Sequence, residues 1–201
     1  MTARTLAVVS AGLRQPSSTR LLADQLAAAT AAASDGPVDV RVVELRDHAH
    51  DIVNNLLTGF PAGRLAEAVE TVTGADGLIA VTPIFNASYS GLFKSFFDAL
   101  DDGALADRPV LVAATGGTAR HSLALEHALR PMFTYMRAVV MPTGVFAATE
   151  DWAGGAADGA LRRRVERAAG ELAREMARRG PATTTDPFTL PTPFDQLLAG
   201  D

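Results

Sequence analysis

Short apolar runs alternate along this chain with longer stretches in which apolar residues recur every three or four positions. The first kind predicts buried strands, and the second kind predicts amphipathic helices. The predicted strands, in chain order, are residues 5–10, 38–45, 77–82, 109–117 and 138–147. Because strands and helices alternate five times, and parallel neighbours need a crossover, we predict a parallel sheet with helices on both faces.

Length and patterning predict one main domain followed by a separate tail. At 201 residues the chain is long enough to bury a normal core. We predict a domain over residues 1–180 and an extended C-terminal tail, with no part in the core, over residues 181–201. Residues 151–159, "DWAGGAADG", predict a mobile loop, and the helix after the fourth strand is predicted to run to the region of Pro131.

Composition and charge exclude several classes of protein. No apolar run is long enough to span a bilayer, and the first residues lack the layout of a signal peptide, so we expect a cytoplasmic protein without a membrane partner. The net charge of −5 provides no field that attracts nucleic acid. Cysteine is absent, so disulfides and thiolate chemistry are excluded and any redox chemistry belongs to a bound cofactor.

Ligand binding is expected at one edge of the predicted sheet. In an open α/β sheet, ligands bind beyond the carboxyl ends of the strands, where the strand order reverses. The loops that follow the first, third and fourth strands lie at that edge, and each has an unusual composition. We therefore examine these three loops as parts of one site.

The first loop, "SAGLRQPSSTRLL", places three hydroxyl residues, Ser17, Ser18 and Thr19, at the start of a helix. A helix start presents unpaired N–H groups and partial positive charge, which suits a phosphate. Ser10 and Arg14 are expected to add donors from the strand end and the turn. An ordinary N-cap, which needs a single Ser or Thr, explains the hydroxyl residues equally well. The loop has neither the G-x-G-x-x-G nor the Walker pattern, which disfavours a Rossmann dinucleotide site or a P-loop.

The second loop lies within "VTPIFNASYSGLFKSFFDAL" and combines aromatic, polar and glycine residues at the tip of a buried strand. A planar heteroaromatic ring needs apolar surface on its faces and backbone donors and acceptors along its edge. Here the imino and aromatic side chains provide that surface, the loop's N–H groups provide the edge, and Asn86 fixes the turn. The expected contacts are Pro83, Ile84, Phe85, Asn86, Ala87 and Tyr89. The competing interpretation is a polar turn whose aromatic residues cap the core, but the whole run would then expose apolar area.

The third loop, "TGGTARHS", offers two glycines that let the backbone approach a flat ligand closely. It also carries two groups that can donate hydrogen bonds to an anion. Its expected contacts are Thr115, Gly116, Gly117, Arg120 and His121. A strand-to-helix turn without a ligand tolerates glycines as well, so this loop alone is a modest signal.

The remaining histidines are predicted to have no ligand role. His48 and His50 alternate in "DHAHD", but nothing else metal-like accompanies them, so a solvated loop without a metal site is favoured. His127 is expected at the core edge or at an interface.

The helix "GLFKSFFDALDD" predicts a subunit contact. Its apolar residues lie around much of the helix and offer more apolar surface than one sheet contact needs. They are Leu92, Phe93, Phe96, Phe97 and Leu100. We therefore predict a homodimer or a homotetramer.

Together the three loops resemble the NADPH-dependent FMN reductase family of flavodoxin-like proteins. The family's phosphate loop, roughly Gly-Ser-x-Arg and then Ser-x-Asn or Ser-x-Thr, is matched at Arg14, Ser17 and Thr19, with Ala11 and Gly12 in place of Gly-Ser. Its flavin loop, Pro-x-Tyr-Asn-x-Ser and a Gly-x-Leu-Lys-like helix start, has Phe85 here instead of Tyr. The matching residues are Pro83, Asn86, Ser88, Gly91 and Lys94. The resemblance covers about residues 5–178, and "VVSAGLRQPSSTRLLAD" is most similar to the reductases paired with luciferase-like monooxygenases.

The resemblance implies a flavodoxin-like, doubly wound sheet of five parallel strands in the order 2-1-3-4-5, with FMN at the switch point. It implies FMN and NADPH (or NADH) as cofactors and hydride transfer from the nicotinamide to flavin N5. It also implies a flavin-dependent monooxygenase as the partner that receives reduced flavin. No side chain need act as acid or base, so no catalytic residue is assigned. Arg14, Arg120 and His121 are candidates for contacts near the flavin or for the phosphates of the nicotinamide nucleotide.

Two alternatives to this function stay open. A quinone, azo or chromate reductase on the same scaffold is barely separated from an FMN reductase by sequence. An electron-carrier flavodoxin, which does not oxidise NAD(P)H, is disfavoured because this chain lacks a Thr-x-Thr-Gly-x-Thr loop and has only a mild acidic excess.

Overall fold

The computed structural model describes residues 3–153 and 159–180. Its strands are β1 (Arg4–Ser10), β2 (Val38–Glu44), β3 (Gly77–Phe85), β4 (Ser88–Tyr89), β5 (Pro109–Gly116), β6 (Val139–Val140) and β7 (Val145–Ala148). Its helices are α1 (Ser18–Ala33), α2 (Ala49–Thr58), α3 (Arg64–Thr73), α4 (Gly91–Asp98), α5 (Arg130–Tyr135), α6 (Thr149–Ala153) and α7 (Ala160–Arg178). Two 3-10 turns, Leu45–His48 and Ala119–His121, and a π-helical turn, Leu125–Leu129, complete the described elements.

The sheet confirms the predicted topology. Its strands pair in parallel in the order β2-β1-β3-β5-β6, and β7 also pairs in parallel with β5. β6 and β7 together are the predicted fifth strand, so the order of the five predicted strands is 2-1-3-4-5. The break between them contains Pro142, which has no N–H to donate. Thr143 leaves the sheet there, and its N–H and Oγ1 bond the Glu171 carboxylate of α7 at 2.8 and 2.7 Å.

The core has two layers because successive strand side chains point to opposite faces of the sheet. Ala7 and Val9 of β1 pack into the layer under α2 to α5, whereas Leu6 and Val8 pack into the layer under α1 and α7. Both layers consist of fully or almost fully buried apolar side chains. A sheet buried on both faces leaves its carboxyl edge as the place where polar loops gather.

The prediction of a solvated loop around His48 is wrong. Residues 45–48 form a 3-10 turn that continues into α2, and the His48 side chain is buried. The signal for α2 was present in Ile52, Val53, Leu56 and Leu57, which recur at helical spacing. Ile52 enters the core while Leu57 stays exposed, so tertiary packing stabilises one side of this helix.

Other predictions about connections have mixed outcomes. The helix after β5 does not stop near Pro131: the π-helical turn Leu125–Leu129 leads directly into α5, and Pro131 lies in the first turn of that helix. The short hairpin strand β4 was not predicted. Residues 151–153 of the predicted 151–159 loop belong to the helix α6. Residues 154–158 of that loop, and the predicted tail 181–201, lie outside the described residues.

Candidate functional site

A cavity of about 600 Å³ lies at the carboxyl ends of β1, β3 and β5. All three predicted loops contribute to its wall. The lining residues are Gly12, Leu13, Arg14, Pro16, Ser17, Ser18, Thr19, Pro83, Ile84, Phe85, Thr115, Gly116, Gly117 and Thr149. Among the described residues, the wall contains one cationic side chain, Arg14, and no Asp or Glu. This charge distribution suits an anionic ligand.

The first loop folds tightly over the start of α1. The Ser17 hydroxyl accepts a hydrogen bond from the N–H of Arg20 at 3.2 Å, so the ordinary N-cap interpretation holds for Ser17. The N–H groups of Ser18 and Thr19 have no acceptor within the helix, and both residues line the cavity. The N-cap and an anion site are therefore compatible at this helix start.

Gly12 is a lining residue that sequence reasoning did not assign to the site. A Cβ built at this position would overlap the Ser17 hydroxyl, so a larger residue must displace that hydroxyl from its capping position. Leu13 and Pro16 line the cavity as well and were also missed. The sequence did contain a signal for Gly12, because this glycine stands where the phosphate-loop motif of the family has a serine.

A hydroxyl pair joins the first and third loops. Thr19 Oγ1 and Thr115 Oγ1 lie 2.9 Å apart and hydrogen bond, although the two side chains come from residues 96 positions apart. The two residues are only 2% and 4% exposed. A buried hydroxyl without a hydrogen-bond partner destabilises the folded state. Separating this pair would leave two such hydroxyls, so the pair fixes the start of α1 against the end of β5.

The second loop is a two-residue hairpin turn between β3 and β4. Phe85 pairs with Ser88 across the turn, and the two turn residues, Asn86 and Ala87, have φ angles of 48° and 70°. Asparagine tolerates this left-handed conformation, whereas at Ala87 it costs about 1 kcal/mol. Phe85 stands at the cavity wall and is 46% exposed.

Some of the predicted contacts lie outside this lining. Asn86, Ala87, Arg120 and His121 are close to it in sequence but do not line it, and the last two are exposed on a 3-10 turn. Tyr89 lines a different cavity, of about 750 Å³ between α4 and α5, and its ring centroid is 6.0 Å from that of Phe93.

Ser10 also lies outside the lining. It is fully buried at the end of β1, and its Oγ has no hydrogen-bond partner among the described residues. This buried hydroxyl lies directly before the first loop, and its O–H is free to donate a hydrogen bond to a ligand. Contacts from Ser10 to a phosphate therefore stay a prediction.

The third loop brings its glycines to the cavity. A Cβ at Gly116 would lie 2.8 Å from Cζ of Phe146, so the Phe146 ring requires glycine there. A Cβ at Gly117 would meet no described atom within 4 Å, so this glycine borders open space. Thr149, at the start of α6, was missed because the edge rule was applied to the first, third and fourth strands and not to the fifth.

An ionic cluster lies behind the first loop. Glu44, at the end of β2, pairs with Arg20 of α1 and with Arg46, whose Nη2 lies 3.3 Å from Glu44 Oε2. The hydrogen bond to Asp24 raises the pKa of the Arg20 guanidinium against the opposing effect of burial, and Glu44 adds to the increase. Arg20 therefore stays a cation under all ordinary conditions.

Within residues 3–153 and 159–180, no cluster of three or more His, Asp or Glu side chains is placed to hold a metal ion. In the same ranges, no helix has both the length and the apolarity that a bilayer crossing requires.

The sheet order and the cavity at its carboxyl edge define a flavodoxin-like α/β protein. A flavodoxin, WrbA-like protein from Agrobacterium tumefaciens shares this fold at a TM-score of 0.59 and 14% identity, with 88% of this chain and 97% of that chain covered. Residues 4–153 match the model of the NADPH-dependent FMN reductase family, and the chain belongs to that family.

Individual relatives agree with this assignment. The chain is 40% identical over 144 residues to an FMN reductase (NADPH) of Pseudomonas aeruginosa, which covers 72% of this chain and 76% of the relative. It is 38% identical over 145 residues to the NADH-dependent FMN reductase SfnF of Pseudomonas fluorescens, with the same shares covered. The solved structure of an oxidoreductase from Corynebacterium diphtheriae aligns at a TM-score of 0.86 and 48% identity, covering 90% of this chain and 100% of that chain.

Proposed function

We propose that this protein is an NAD(P)H-dependent FMN reductase and that the 600 Å³ cavity binds FMN. The observation that carries the proposal is the composition of that cavity in a member of this family: three loops meet there and, within residues 3–153 and 159–180, bring one arginine and no carboxylate to its wall. The volume lies within the usual range of cofactor sites. Gly12 and Gly116, which no larger residue can replace without overlap, keep the backbone close to the ligand space.

The residues of the first loop fit the phosphate end of FMN. Ser18 and Thr19 offer unpaired N–H groups, Ser17 and Ser18 offer hydroxyls, and Arg14 offers a guanidinium. Arg14 is exposed and has no ion pair in the described part of the chain, so it is available to the ligand. Glu44, a carboxylate behind this loop, is already held between Arg20 and Arg46.

The second and third loops fit the ring end. Pro83, Ile84 and Phe85 provide apolar surface, and Gly116 and Gly117 provide a flat backbone on the adjoining strand. When bound, the flavin ring accepts a hydride from the reduced nicotinamide, and the protein orients the two rings and excludes water. None of the lining side chains is a general acid or base, so we assign none a catalytic role.

The relatives include both an NADPH-dependent and an NADH-dependent FMN reductase, so we propose that one of these two nucleotides supplies the hydride. We propose that reduced flavin passes to a flavin-dependent monooxygenase, as the sequence resemblance implies. The cytoplasmic location stays a prediction as well.

We also propose that the protein is a dimer or tetramer, on different grounds from those of the sequence. Phe93, Phe96 and Phe97 of α4 are buried inside the subunit, with Phe97 and Phe133 packed edge to face at 4.9 Å. These three rings add no exposed apolar surface, whereas Leu92 and Leu100 of the same segment stay only partly buried. Leu57 and Phe60, at the end of α2, are instead 82% and 79% exposed, and Tyr135 is 85% exposed. Such surface favours a subunit contact.

Light scattering of the purified protein at micromolar concentration tests the assembly. A mass of two or four chains is expected. A mass of one chain contradicts the assembly proposal without affecting the assignment of the cavity.

Spectroscopy and turnover test the main proposal. FMN has about 30 heavy atoms, and about −0.3 kcal/mol per atom gives roughly −9 kcal/mol, so sub-micromolar binding is expected. The experiment titrates the protein with FMN by fluorescence quenching and then follows NADPH and NADH oxidation with and without added FMN. Binding with oxidation of either nucleotide supports the proposal. Binding without oxidation of either would indicate an electron carrier.

A further inference from the structure

Arg46, in the 3-10 turn after β2, reaches across to the first loop. Its Nη1 donates a hydrogen bond to the backbone oxygen of Arg14 at 3.2 Å. With the Gln15 amide turned so that its oxygen faces the guanidinium, that oxygen accepts from Nη2 at 2.5 Å and from Nη1 at 3.2 Å. The contact with Arg14 exists in either orientation of the amide, and the turned Gln15 amide adds two more, so a side chain from the turn after β2 holds two consecutive residues of the loop.

The guanidinium of Arg46 is itself held from behind. Its Nη2 lies 3.3 Å from Glu44 Oε2, and its Nε lies 3.6 Å from Asp47 Oδ1. The Glu44 side chain is 13% exposed and the Arg46 side chain 19%, so solvent screens this pair only in part. Glu44 also pairs with Arg20, in the first turn of α1. The same carboxylate thus connects Arg46 to the helix that follows the loop.

Arg46 does not line the cavity, so its effect on a ligand is indirect. The loop it holds carries Arg14 at its tip and leads directly into the helix start at Ser17 and Ser18. A loop that is fixed before binding loses less conformational entropy when the ligand arrives, and this gain appears as affinity.

We propose that Arg46 is a positioning residue that fixes residues 14–15 and so prepares the phosphate end of the cavity. The inference rests on the proposed binding of FMN in this cavity. It predicts that replacing Arg46 weakens the binding of the phosphate group and has much less effect on the binding of the ring. An arginine is needed because a planar guanidinium reaches Arg14, Gln15 and Glu44 together, whereas a lysine ammonium has no such fork.

The test compares three variants: Arg46→Ala, Arg46→Lys and, as a matched control, Arg41→Ala. Arg41 lies on β2 and pairs with Asp39 on the surface, where it is 56% exposed and far in sequence from the loop. Dissociation constants are measured for FMN and for riboflavin, which lacks the phosphate. Arg46→Ala is expected to weaken FMN about tenfold and riboflavin less than about twofold. Arg46→Lys should fall between, and Arg41→Ala should match the wild type. Equal weakening of both flavins, or unchanged FMN binding, would overturn the proposal.

A second measurement needs no flavin. Amide hydrogen exchange in the ligand-free protein should become faster at Arg20 and Leu21, whose N–H groups donate to Ser17 at the end of the loop, in Arg46→Ala and not in Arg41→Ala, while exchange in β1 and β3 stays unchanged. Faster exchange throughout the protein would indicate a general loss of stability, and unchanged exchange at these two amides would refute positioning. If the wild type itself fails to bind FMN, the proposed function fails. The exchange result then still decides whether Arg46 fixes the loop, and the phosphate part of the inference is lost.

Discussion

The two ends of the cavity are built differently. At the end formed by the first loop, a helix cap at Ser17, a buried hydroxyl pair and the Arg46 contacts hold the polypeptide before any ligand binds. At the end formed by the second and third loops, Phe85 is 46% exposed and Gly117 borders open space. If FMN binds as proposed, the first end holds its phosphate and the second leaves room for a nucleotide to approach the ring. This is the division that an enzyme with a bound flavin and an exchanging nucleotide needs.

The largest effect is expected at the prepared end. Gly12→Ala places a methyl group against the Ser17 hydroxyl and must displace the cap or the loop. We expect FMN affinity to fall about thirtyfold, equivalent to about 2 kcal/mol, measured by fluorescence titration. Gly117→Ala is the matched control, because a Cβ there meets no described atom within 4 Å. Similar losses in the two variants would show that the ends do not differ as described.

The hydroxyls of the first loop separate phosphate binding from ring binding. Replacing Ser17 and Thr19 together by Ala removes the helix cap and one partner of the buried pair, each worth about 1 kcal/mol. We expect FMN to be weakened about tenfold or more and riboflavin clearly less, in parallel titrations. An equal loss of affinity for FMN and riboflavin would show that the phosphate does not bind at this end.

Bulk at the open end should affect turnover more than binding. Gly117→Val adds a side chain where a Cβ has free space, so folding is preserved while the approach to the ring narrows. We expect near-normal FMN affinity and NAD(P)H oxidation reduced at least about tenfold, equivalent to about 1.4 kcal/mol of barrier. Steady-state kinetics at saturating FMN measure this. Full activity, or complete loss of FMN, would mean that Gly117 does not face the approach path.

The smallest effect concerns strain in the hairpin turn. Ala87 has a φ of 70°, which glycine adopts without cost, so Ala87→Gly should raise the unfolding free energy by about 0.5–1 kcal/mol. This corresponds to an increase in Tm of about 1–4 °C by calorimetry. Ala28→Gly, at an exposed position within α1, is the control and should lower the Tm instead. The same sign for both changes would argue against strain at Ala87.

Both the fold and most of the cavity wall were predictable from the chain. β-branched runs predicted five strands, and the edge rule then selected three loops whose residues meet in one cavity. Tyr89 was placed at that cavity too, but the hairpin turn reverses the chain, and its ring packs toward Phe93 instead. The spacing of residues in the sequence cannot show this, because β4 has only two residues and therefore no alternation of apolar and polar positions.

The sequence by itself determined the order of strands and helices, since burial on both faces of a parallel sheet requires apolar runs and its crossovers require helical periods. It also determined that polar and glycine residues follow the strands at one edge. Only the tertiary structure decided which side chains meet there. The pairing of Thr19 with Thr115, and the reach of Arg46 to Arg14, join residues 96 and 32 positions apart. Such contacts depend on the order of the strands in the sheet, which brings the loops after β1, β2 and β5 to one edge, and no local pattern of residues records that distance.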